Sequence, residues 1–129
     1  MAFGTYGKGA RAERELINKF SENGFNVIRA AGSGVNSLSP DLLAFKRGVQ
    51  YAFECKAWDS GSLSFEKWKV DGMRHWEENT GITYRIAWRV SRDGWYFLPL
   101  HALEEQGKTF TITLKKAKMI GQRLEDVCK

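Results

Sequence analysis

Cysteine, histidine and proline are scarce in this chain, which has only two of each among its 129 residues. Neither Cys55 nor Cys128 belongs to a spacing typical of a zinc site, and two cysteines do not indicate a disulfide framework. We expect Cys55 to be a buried thiol within a strand and Cys128, next to the last residue, to be mobile. His75 and His101 also lie in no metalloprotease pattern. The sequence therefore argues against zinc chemistry.

Long apolar runs and the motifs of several large enzyme classes are also missing. No stretch approaches the roughly 20 apolar residues of a membrane-spanning helix, and the first residues lack the apolar core of a signal peptide. The chain has neither a Walker loop nor the Gly-x-Ser-x-Gly motif of serine hydrolases. We therefore expect a cytoplasmic protein with no membrane partner and no small-molecule cofactor.

The residues that are present suit one domain over residues 1–129. Hydrophobic residues make up 43% of the chain and include 8 Phe, 5 Trp and 4 Tyr, which can fill a single core. The 20 Lys and Arg exceed the 15 Asp and Glu, so the net charge is +5. Alone, this excess could be ordinary surface charge. If the chain also has a metal site, the excess of positive charge favours a polyanionic partner, most commonly nucleic acid.

Two apolar runs on either side of residues 46–48 predict an antiparallel hairpin. If its loop has two residues, Asp41 lies directly opposite Glu54, with about 4.5–5.5 Å between the Cβ atoms. Like charges at that separation are destabilising unless a cation lies between them. Alternation along the second strand places Lys56 on the Glu54 face and Cys55 on the other face. The hairpin therefore predicts a metal-dependent site of two acids and a lysine.

The length of the loop decides whether these charges meet. A four-residue loop would oppose Asp41 to Lys56 and still keep the three charges on one face. A three-residue loop would oppose Asp41 to Cys55 and separate them, and Arg-Gly is a weaker hairpin signal than Asn-Gly. We favour the arrangement on one face; the alternative is a surface hairpin with solvated charges.

A helix predicted over residues 7–23 supplies a third acid. Leu16, Ile17 and Phe20 form its apolar stripe, and Glu13 lies on that stripe at helical spacing. Glu13 could simply be favourable near the positive end of the helix dipole. The functional interpretation is that Glu13 points toward the face that carries the hairpin acids.

The remaining patterns predict the order α-β-β-β-α-β-β. A strand at 25–30 is followed by a Gly- and Ser-rich loop at 31–39, by the hairpin, and by a helix that is capped by Ser62 or Ser64 and runs to about Asn79. The chain then continues with strands at 84–90 and 95–100 around the turn Asp93-Gly94, a possible strand at 109–114, and a basic helical end. This order indicates an α/β fold in which helices flank a mixed five-stranded sheet.

These residue types support metal-dependent hydrolysis of phosphodiesters. Carboxylates hold Mg²⁺ through oxygen, and the ion keeps waters and phosphate oxygens in its other positions. We predict that Glu13, Asp41 and Glu54, with the backbone carbonyl of Cys55, bind one or two Mg²⁺ ions, for which Mn²⁺ can substitute. Lys56 could orient the attacking water, act as a base or neutralise charge on the scissile phosphate.

Basic residues lie near these acids in the predicted fold. Lys8, Arg11 and Arg14 surround the start of the first helix, where free backbone N–H groups already favour phosphate. Arg29 ends the first strand, and Ser33 in the following loop could donate to a phosphate. Each of them alone could be ordinary surface polarity. As a group they predict contacts that fix position on a nucleic-acid backbone without reading its sequence.

Four segments together resemble the archaeal Holliday junction resolvases. They are Lys8–Leu16, with its Lys-Gly…Glu-Arg-Glu series, Val27–Ser33, Pro40–Leu42 and Glu54–Lys56. They follow the expected order within about residues 7–90. A bare Pro-Asp…Glu-x-Lys pattern is shared by many nucleases, and the combination is more specific. No firm match is evident beyond Pro99.

The resemblance implies a restriction-endonuclease-like single domain. It implies a homodimer that uses Mg²⁺ to cut two opposed strands of a four-way DNA junction in recombination and repair. The implied active-site residues are Glu13, Asp41, Glu54 and Lys56, assisted by Ser33. The implied contacts to the DNA backbone are Lys8, Arg11, Arg14 and Arg29.

The two-fold symmetry of such a junction gives a dimer a physical reason, because two symmetric cuts need two symmetric sites. Trp68, Met73 and Trp76 are candidates for the self-contact, although each could belong to the core instead. Two other functions stay open. One is a related restriction-type or repair nuclease that acts on other duplex DNA, and the other is a junction-binding protein without catalytic activity.

Overall fold

The computed structural model describes residues 2–30 and 39–129. Along the chain the elements are α1 (Ala2–Glu22), β1 (Asn26–Arg29), β2 (Leu42–Lys46), β3 (Val49–Ala57), β4 (Ser62–Glu66), α2 (Lys67–Thr80), β5 (Thr83–Val90), β6 (Gly94–Pro99), a 3₁₀ turn (Leu100–Ala102), β7 (Glu104–Gln106), β8 (Thr109–Thr113), α3 (Leu114–Ile120) and α4 (Leu124–Val127).

A five-stranded sheet in the order β1-β2-β3-β5-β6 forms the centre of this fold. β3 and β5 are parallel, and the other neighbouring pairs are antiparallel. A parallel pair needs a crossover, which β4 and α2 provide between β3 and β5. The predicted α/β class and the mixed sheet are confirmed.

The β2–β3 hairpin has the two-residue loop on which the predicted site depends. Leu42 pairs with Phe53, as that loop length requires. Arg47 and Gly48 both have positive φ, 48° and 86°, which is the backbone of a type I′ turn. This turn fits the twist of the strands, so the register is fixed and brings Asp41 alongside the middle of β3.

Alternation along β3 divides the core between the two faces of the sheet. Phe53 packs with Leu16 and Phe20 of α1, whereas Ala52 packs with Met73 of α2. Because neighbouring strand residues point to opposite faces, α1 and α2 cover opposite sides of the sheet. Side chains from either helix can therefore reach the sheet only from their own side or around its end.

A second, three-stranded sheet in the order β4-β8-β7 was not predicted. Ser62 and Ser64, expected as helix caps, lie in β4 and alternate with the buried Leu63 and Phe65. α2 begins only at Lys67. The expected cap was wrong because the period-two alternation of this segment, a strand signal, was interpreted as the start of the helix.

The end of the chain is also better ordered than expected. Cys128 is buried in the cluster beneath α1, with 4% of its surface exposed, so the prediction that it is mobile was wrong. Burial raises the pKa of its thiol to about 11. Among the helices of residues 2–30 and 39–129, none is long and apolar enough to cross a membrane.

Candidate active site

Asp41 is fixed at the edge of β3 by two hydrogen bonds. Its backbone N–H donates to the carbonyl of Phe53 at 2.9 Å, and its Oδ2 accepts from the backbone N–H of Cys55 at 2.9 Å. The carboxylate thus takes the place of a strand carbonyl at the point where the β2 ladder ends. This position holds Asp41 alongside Glu54, between the two β3 residues it contacts.

Glu54 is a buried acid in the middle of β3, with 5% of its surface exposed. Burial is the largest influence on this carboxyl, and the charge of Asp41 adds to it, so the pKa of Glu54 is raised. Lys69, whose Nζ lies 2.9 Å from Oε2, and Lys56 act in the opposite direction. The charges of Asp41, Lys56 and Lys69 therefore all act on the carboxyl group of Glu54.

Glu13, on α1, is the third acid predicted for the site. Its Oε1 lies 2.6 Å from Nε of Arg29, at the end of β1, and its side chain is 21% exposed. Burial and then the charge of Asp41 raise the pKa of Glu13, while Arg29 lowers it. Since α1 covers the face opposite to α2, Glu13 reaches Asp41 from the other side of the sheet. The expectation that Glu13 points toward the face of the hairpin acids was therefore incomplete.

All three acids affect the pKa of the Cys55 thiol. Burial is the main cause of its strongly raised pKa, and the charges of Asp41, Glu13 and Glu54 raise it further. The charges of all three acids thus act on one residue of β3. Among the described residues, however, no three acidic, histidine or cysteine side chains already form a ligand set. Arg29 and Lys69 instead pair with the two glutamates.

Lys56 lies on the α2 side of β3, as the alternation predicts. Its Nζ is 5.8 Å from the ring centroid of Phe65, which belongs to the core cluster on that side. It is also close enough to Glu54 to lower the pKa of that carboxyl. An ammonium group beside the acids is thus available to a phosphate or to a water molecule.

Lys69 is a site residue that the sequence interpretation missed. It was not among the residues predicted for the site, yet it contacts a buried acid. A signal was present, because Lys69, Met73 and Trp76 follow the spacing i, i+4, i+7 of one helix face. A lysine aligned with the apolar stripe of a helix indicates a buried partner.

The basic residues predicted to contact DNA differ in their surroundings. Arg11 and Arg14 are exposed on α1. Lys8 forms an ion pair with Asp59, and Arg29 is paired with Glu13. Ser33, the remaining predicted residue, lies outside the described residues. A pocket of about 400 Å³ lies beside α1, lined among others by Lys8, Arg11 and Arg89.

The donor groups suit a hard divalent cation. The three acids offer only oxygen, which is the donor that Mg²⁺ and Mn²⁺ prefer. Burial and then the charge of Asp41 already raise the pKa values of Glu13 and Glu54. A cation between these carboxylates would remove that penalty. The prediction that the Cys55 carbonyl is a further ligand stays a prediction.

The comparisons with known proteins cover nearly the whole chain. The family model of the archaeal Holliday junction resolvase (Hjc) matches residues 4–129. The crossover junction endodeoxyribonuclease Hjc of Archaeoglobus fulgidus is 32% identical over 106 residues, which are 81% of this chain and 78% of the relative. The protein of the same description from Methanocaldococcus jannaschii is 32% identical over 108 residues, 83% of this chain and 77% of the relative.

Solved structures agree with this assignment. The structure of Archaeoglobus fulgidus Hjc has a TM-score of 0.84 and 28% sequence identity, and the match covers 94% of this chain and 100% of that chain. The bacterial homing endonuclease I-Ssp6803I has a TM-score of 0.54 and 18% identity, over 82% of this chain and 72% of its own, and shows the fold alone. These neighbours confirm the restriction-endonuclease-like fold.

The family match also corrects the limit set by the sequence resemblance. No firm match was evident beyond Pro99, yet the family model continues to residue 129. The segments that follow Pro99 contribute β7, β8, α3 and α4; β8 and α3 belong to the core cluster on one face of the central sheet, and α4 belongs to the cluster on the other face. From its length of match and from the identity of its relatives, this chain belongs to the archaeal Holliday junction resolvase family.

Proposed function

We propose that this protein is a structure-selective endonuclease that cuts opposed strands of four-way DNA junctions with the help of Mg²⁺. The observation that carries the proposal is that Asp41, hydrogen-bonded to the backbone of Cys55, lies beside the buried Glu54, with Lys56 on the same strand, in a chain of the resolvase family. Within this proposal, residues 1–129 act as one nuclease domain.

Asp41, Glu54 and Glu13 are the residues that would hold the divalent ion, with the Cys55 carbonyl as a further oxygen donor. When bound, such an ion polarises the scissile phosphate, lowers the pKa of a bound water and stabilises the leaving oxygen. Asp41 is suited to its part because the Cys55 N–H fixes its Oδ2 in place. Glu13 would exchange its ion pair with Arg29 for contact with the ion, whereas Glu54 offers the ion Oε1, because Lys69 contacts only its Oε2.

Lys56 places a positively charged ammonium group beside the acids, on the α2 side of the sheet. The hydrolysis requires a water oxygen to bond to phosphorus while the bond to the leaving deoxyribose oxygen breaks. A nearby ammonium group can neutralise charge that develops on the phosphate oxygens or orient the water by a hydrogen bond. It can also take up a proton if it is first deprotonated. These three roles of Lys56 remain alternatives.

The DNA backbone would lie along α1 and the end of β1. Arg11 and Arg14 are exposed and have no ion-pair partner among residues 8–30 and 39–129, so phosphates can contact them directly. Lys8 and Arg29 would exchange Asp59 and Glu13 for phosphate, and such an exchange costs little at an exposed site. Release of Arg29 would at the same time free Glu13 for the ion. Ser33 remains a proposed contact in the loop that follows β1.

We also propose that the protein acts as a homodimer, since two opposed cuts need two sites. Of the three residues considered for the self-contact, Met73 is buried and Trp76 packs edge-on against Tyr84, with 5.7 Å between ring centroids. Only Trp68 is largely exposed, at 56%. Light scattering after gel filtration should give twice the monomer mass, and Trp68→Ala should lower it if this residue lies in the interface.

Cleavage of matched DNA substrates tests the main proposal. The protein is incubated with Mg²⁺ and either a labelled four-way junction or linear duplexes of the same sequence. We expect paired cuts in the junction and little cutting of the duplexes. Equal cutting of both would contradict junction selectivity and favour a restriction-type or repair nuclease.

Substitutions at the acids separate cleavage from binding. Asp41→Asn and Glu54→Gln keep the size of each side chain and remove its charge. We expect both variants to bind the junction and not to cut it. Cleavage by both variants would show that the proposed site is wrong. If the unaltered protein binds junctions but cuts no DNA with Mg²⁺ or Mn²⁺, the junction-binding function without catalysis is the correct one.

A further inference from the structure

Lys69 is close to the proposed active site, yet the pattern of acids and lysine on which the site was predicted does not include it. It lies in the first turn of α2, and its Nζ is 2.9 Å from Oε2 of Glu54. We propose that Lys69 is a positioning residue of the divalent-cation site. It neutralises and orients Glu54 through Oε2 and leaves the second oxygen, Oε1, for the ion.

The burial of Glu54 is the first argument. Its side chain is 6% exposed, and burial of a carboxylate is costly unless a partner compensates its charge. Asp41 makes the cost larger, because its charge acts on the same carboxyl. Lys69 makes the closest cationic contact to Glu54 and, at 32% exposure of its own side chain, keeps part of its hydration. It therefore holds the acid in place at a modest cost.

The position of Lys69 in the first turn of α2 also supports this role. Free N–H groups make the first turn of a helix positive, so a lysine there is unfavourable. The N-cap residue Glu66 provides no side-chain cap, and the first turn contains no acid. Lys69 is thus placed against the local preference of its helix. Its contact with Glu54 supplies the compensating interaction.

Lys67 shows what an ordinary lysine does in the same turn. Its Nζ lies 2.7 Å from Oε2 of Glu105, and both side chains are about half exposed, at 46% and 52%. This pair joins α2 to β7, away from the acids of the site. Lys67→Met therefore removes a first-turn cation of α2 without touching Glu54, and is a matched control for Lys69→Met.

A competing interpretation predicts the opposite sign. If Lys69 occupied the place of the ion, its removal would raise the affinity for divalent cations. If Lys69 positions Glu54, its removal lowers that affinity. The carboxylate has two oxygens and Lys69 contacts Oε2, and ligating carboxylates are commonly held by an outer hydrogen bond. These observations favour the positioning role.

Binding of Mn²⁺ in the absence of DNA tests the proposal. The free ion is followed by its electron paramagnetic resonance signal during titration of the protein. We expect Lys69→Met to weaken Mn²⁺ binding about 10- to 100-fold, the usual effect of losing such a partner. Lys67→Met should match the unaltered protein, and Glu54→Gln should bind more weakly still. Unchanged or tighter binding by Lys69→Met would overturn the proposal.

Two further variants separate positioning from folding. Lys69→Arg keeps the charge and the donor, so it should recover most of the affinity. Lys69→Gln keeps a donor without the charge, so it should resemble Lys69→Met and replaces it if that variant fails to fold by circular dichroism. Loss of Mn²⁺ binding by Lys69→Arg equal to that of Lys69→Gln would contradict the charge argument.

The inference rests on the proposed function for the identity of the site, and cleavage provides an independent readout. With junction DNA, Lys69→Met should require about 10- to 100-fold more Mg²⁺ for half-maximal cleavage, while its rate at saturating Mg²⁺ stays within about threefold. If neither the unaltered protein nor any variant cuts DNA, but the Mn²⁺ affinities of the variants follow the expected order, the proposed function fails and this inference stands. If cleavage occurs without any dependence on Lys69, the inference alone fails.

Discussion

Replacement of Glu54 by glutamine should stabilise the metal-free protein while it abolishes cleavage. In the fold, burial and the charge of Asp41 raise the pKa of Glu54 above its ordinary value of 4.5, despite Lys69 and Lys56. A folded protein that holds the proton more tightly than the unfolded chain loses stability as the pH rises through these values. At neutral pH, ionised Glu54 is therefore a net cost to the fold, and glutamine removes it.

The size of the effect follows from two opposing contributions. Glu54 is only 5% exposed, so solvent screens its interactions little. Glutamine still accepts a hydrogen bond from Lys69, but the carboxylate charge that strengthens this contact is lost, which lowers the stability by about 1 kcal/mol. Because the raised pKa shows that the unfavourable contributions are larger, the net gain should be about 0.5–2 kcal/mol, the usual range when a functional group is replaced in favour of stability.

Urea denaturation with a chelator at pH 7 and pH 4 measures this difference. Glu54→Gln should be more stable than the unaltered protein at pH 7, and the difference should shrink at pH 4, where Glu54 takes up its proton. Glu22→Gln, at an exposed position of α1, should change stability by less than about 0.5 kcal/mol. Excess Mg²⁺ should stabilise the unaltered protein by about 1.4 kcal/mol at ten times its dissociation constant, and the variant by less.

A contrary result would refute the reasoning at a defined point. If Glu54→Gln is less stable at pH 7 without metal ions, Lys69 and Lys56 outweigh burial. If the gain is the same at pH 4, it does not come from ionisation of Glu54. If Mg²⁺ stabilises both proteins equally, Glu54 is not a ligand.

Three other predictions concern the core, a helix cap and the DNA contacts. Met73→Ala should cost about 2–5 kcal/mol in urea denaturation because Met73 is 2% exposed; a small loss would show that it is not core. Thr113 accepts from the backbone N–H of Lys116 at 3.1 Å, so Thr113→Ala should cost about 1 kcal/mol while Thr113→Ser costs little. Joint replacement of Arg11 and Arg14 by alanine should reduce the salt slope of junction affinity by about two, equally for junctions of different sequence; an unchanged slope would exclude them as phosphate contacts.

The hairpin shows how far local rules can reach. The hairpin and the common face of Glu54 and Lys56 follow from strand alternation within 16 consecutive residues, 41–56, whereas its two-residue loop was one of three lengths that the sequence left open. A shift of one residue would have moved every side chain to the other face, so this local register determined most of the site.

Contacts between distant segments could not be read in the same way. β4 pairs with β8, where Leu63 lies opposite Ile112. The pattern of Ser62–Glu66 alone could indicate a strand or the entry to a helix, and only a partner about 50 residues away selects the strand. The same limit explains why the strand at 109–114 was predicted without the sheet that it joins.

The sequence by itself determined the kinds of groups in the site and the strand that carries two of them. The tertiary structure decided how these groups meet. Glu13 comes from α1, which covers the face opposite to α2, and Lys69, which was not predicted for the site, pairs with Glu54. Both outcomes depend on how α1 and α2 pack on the sheet. Periodicity gives the buried face of a helix, but the packing of the whole core fixes which residue that face meets.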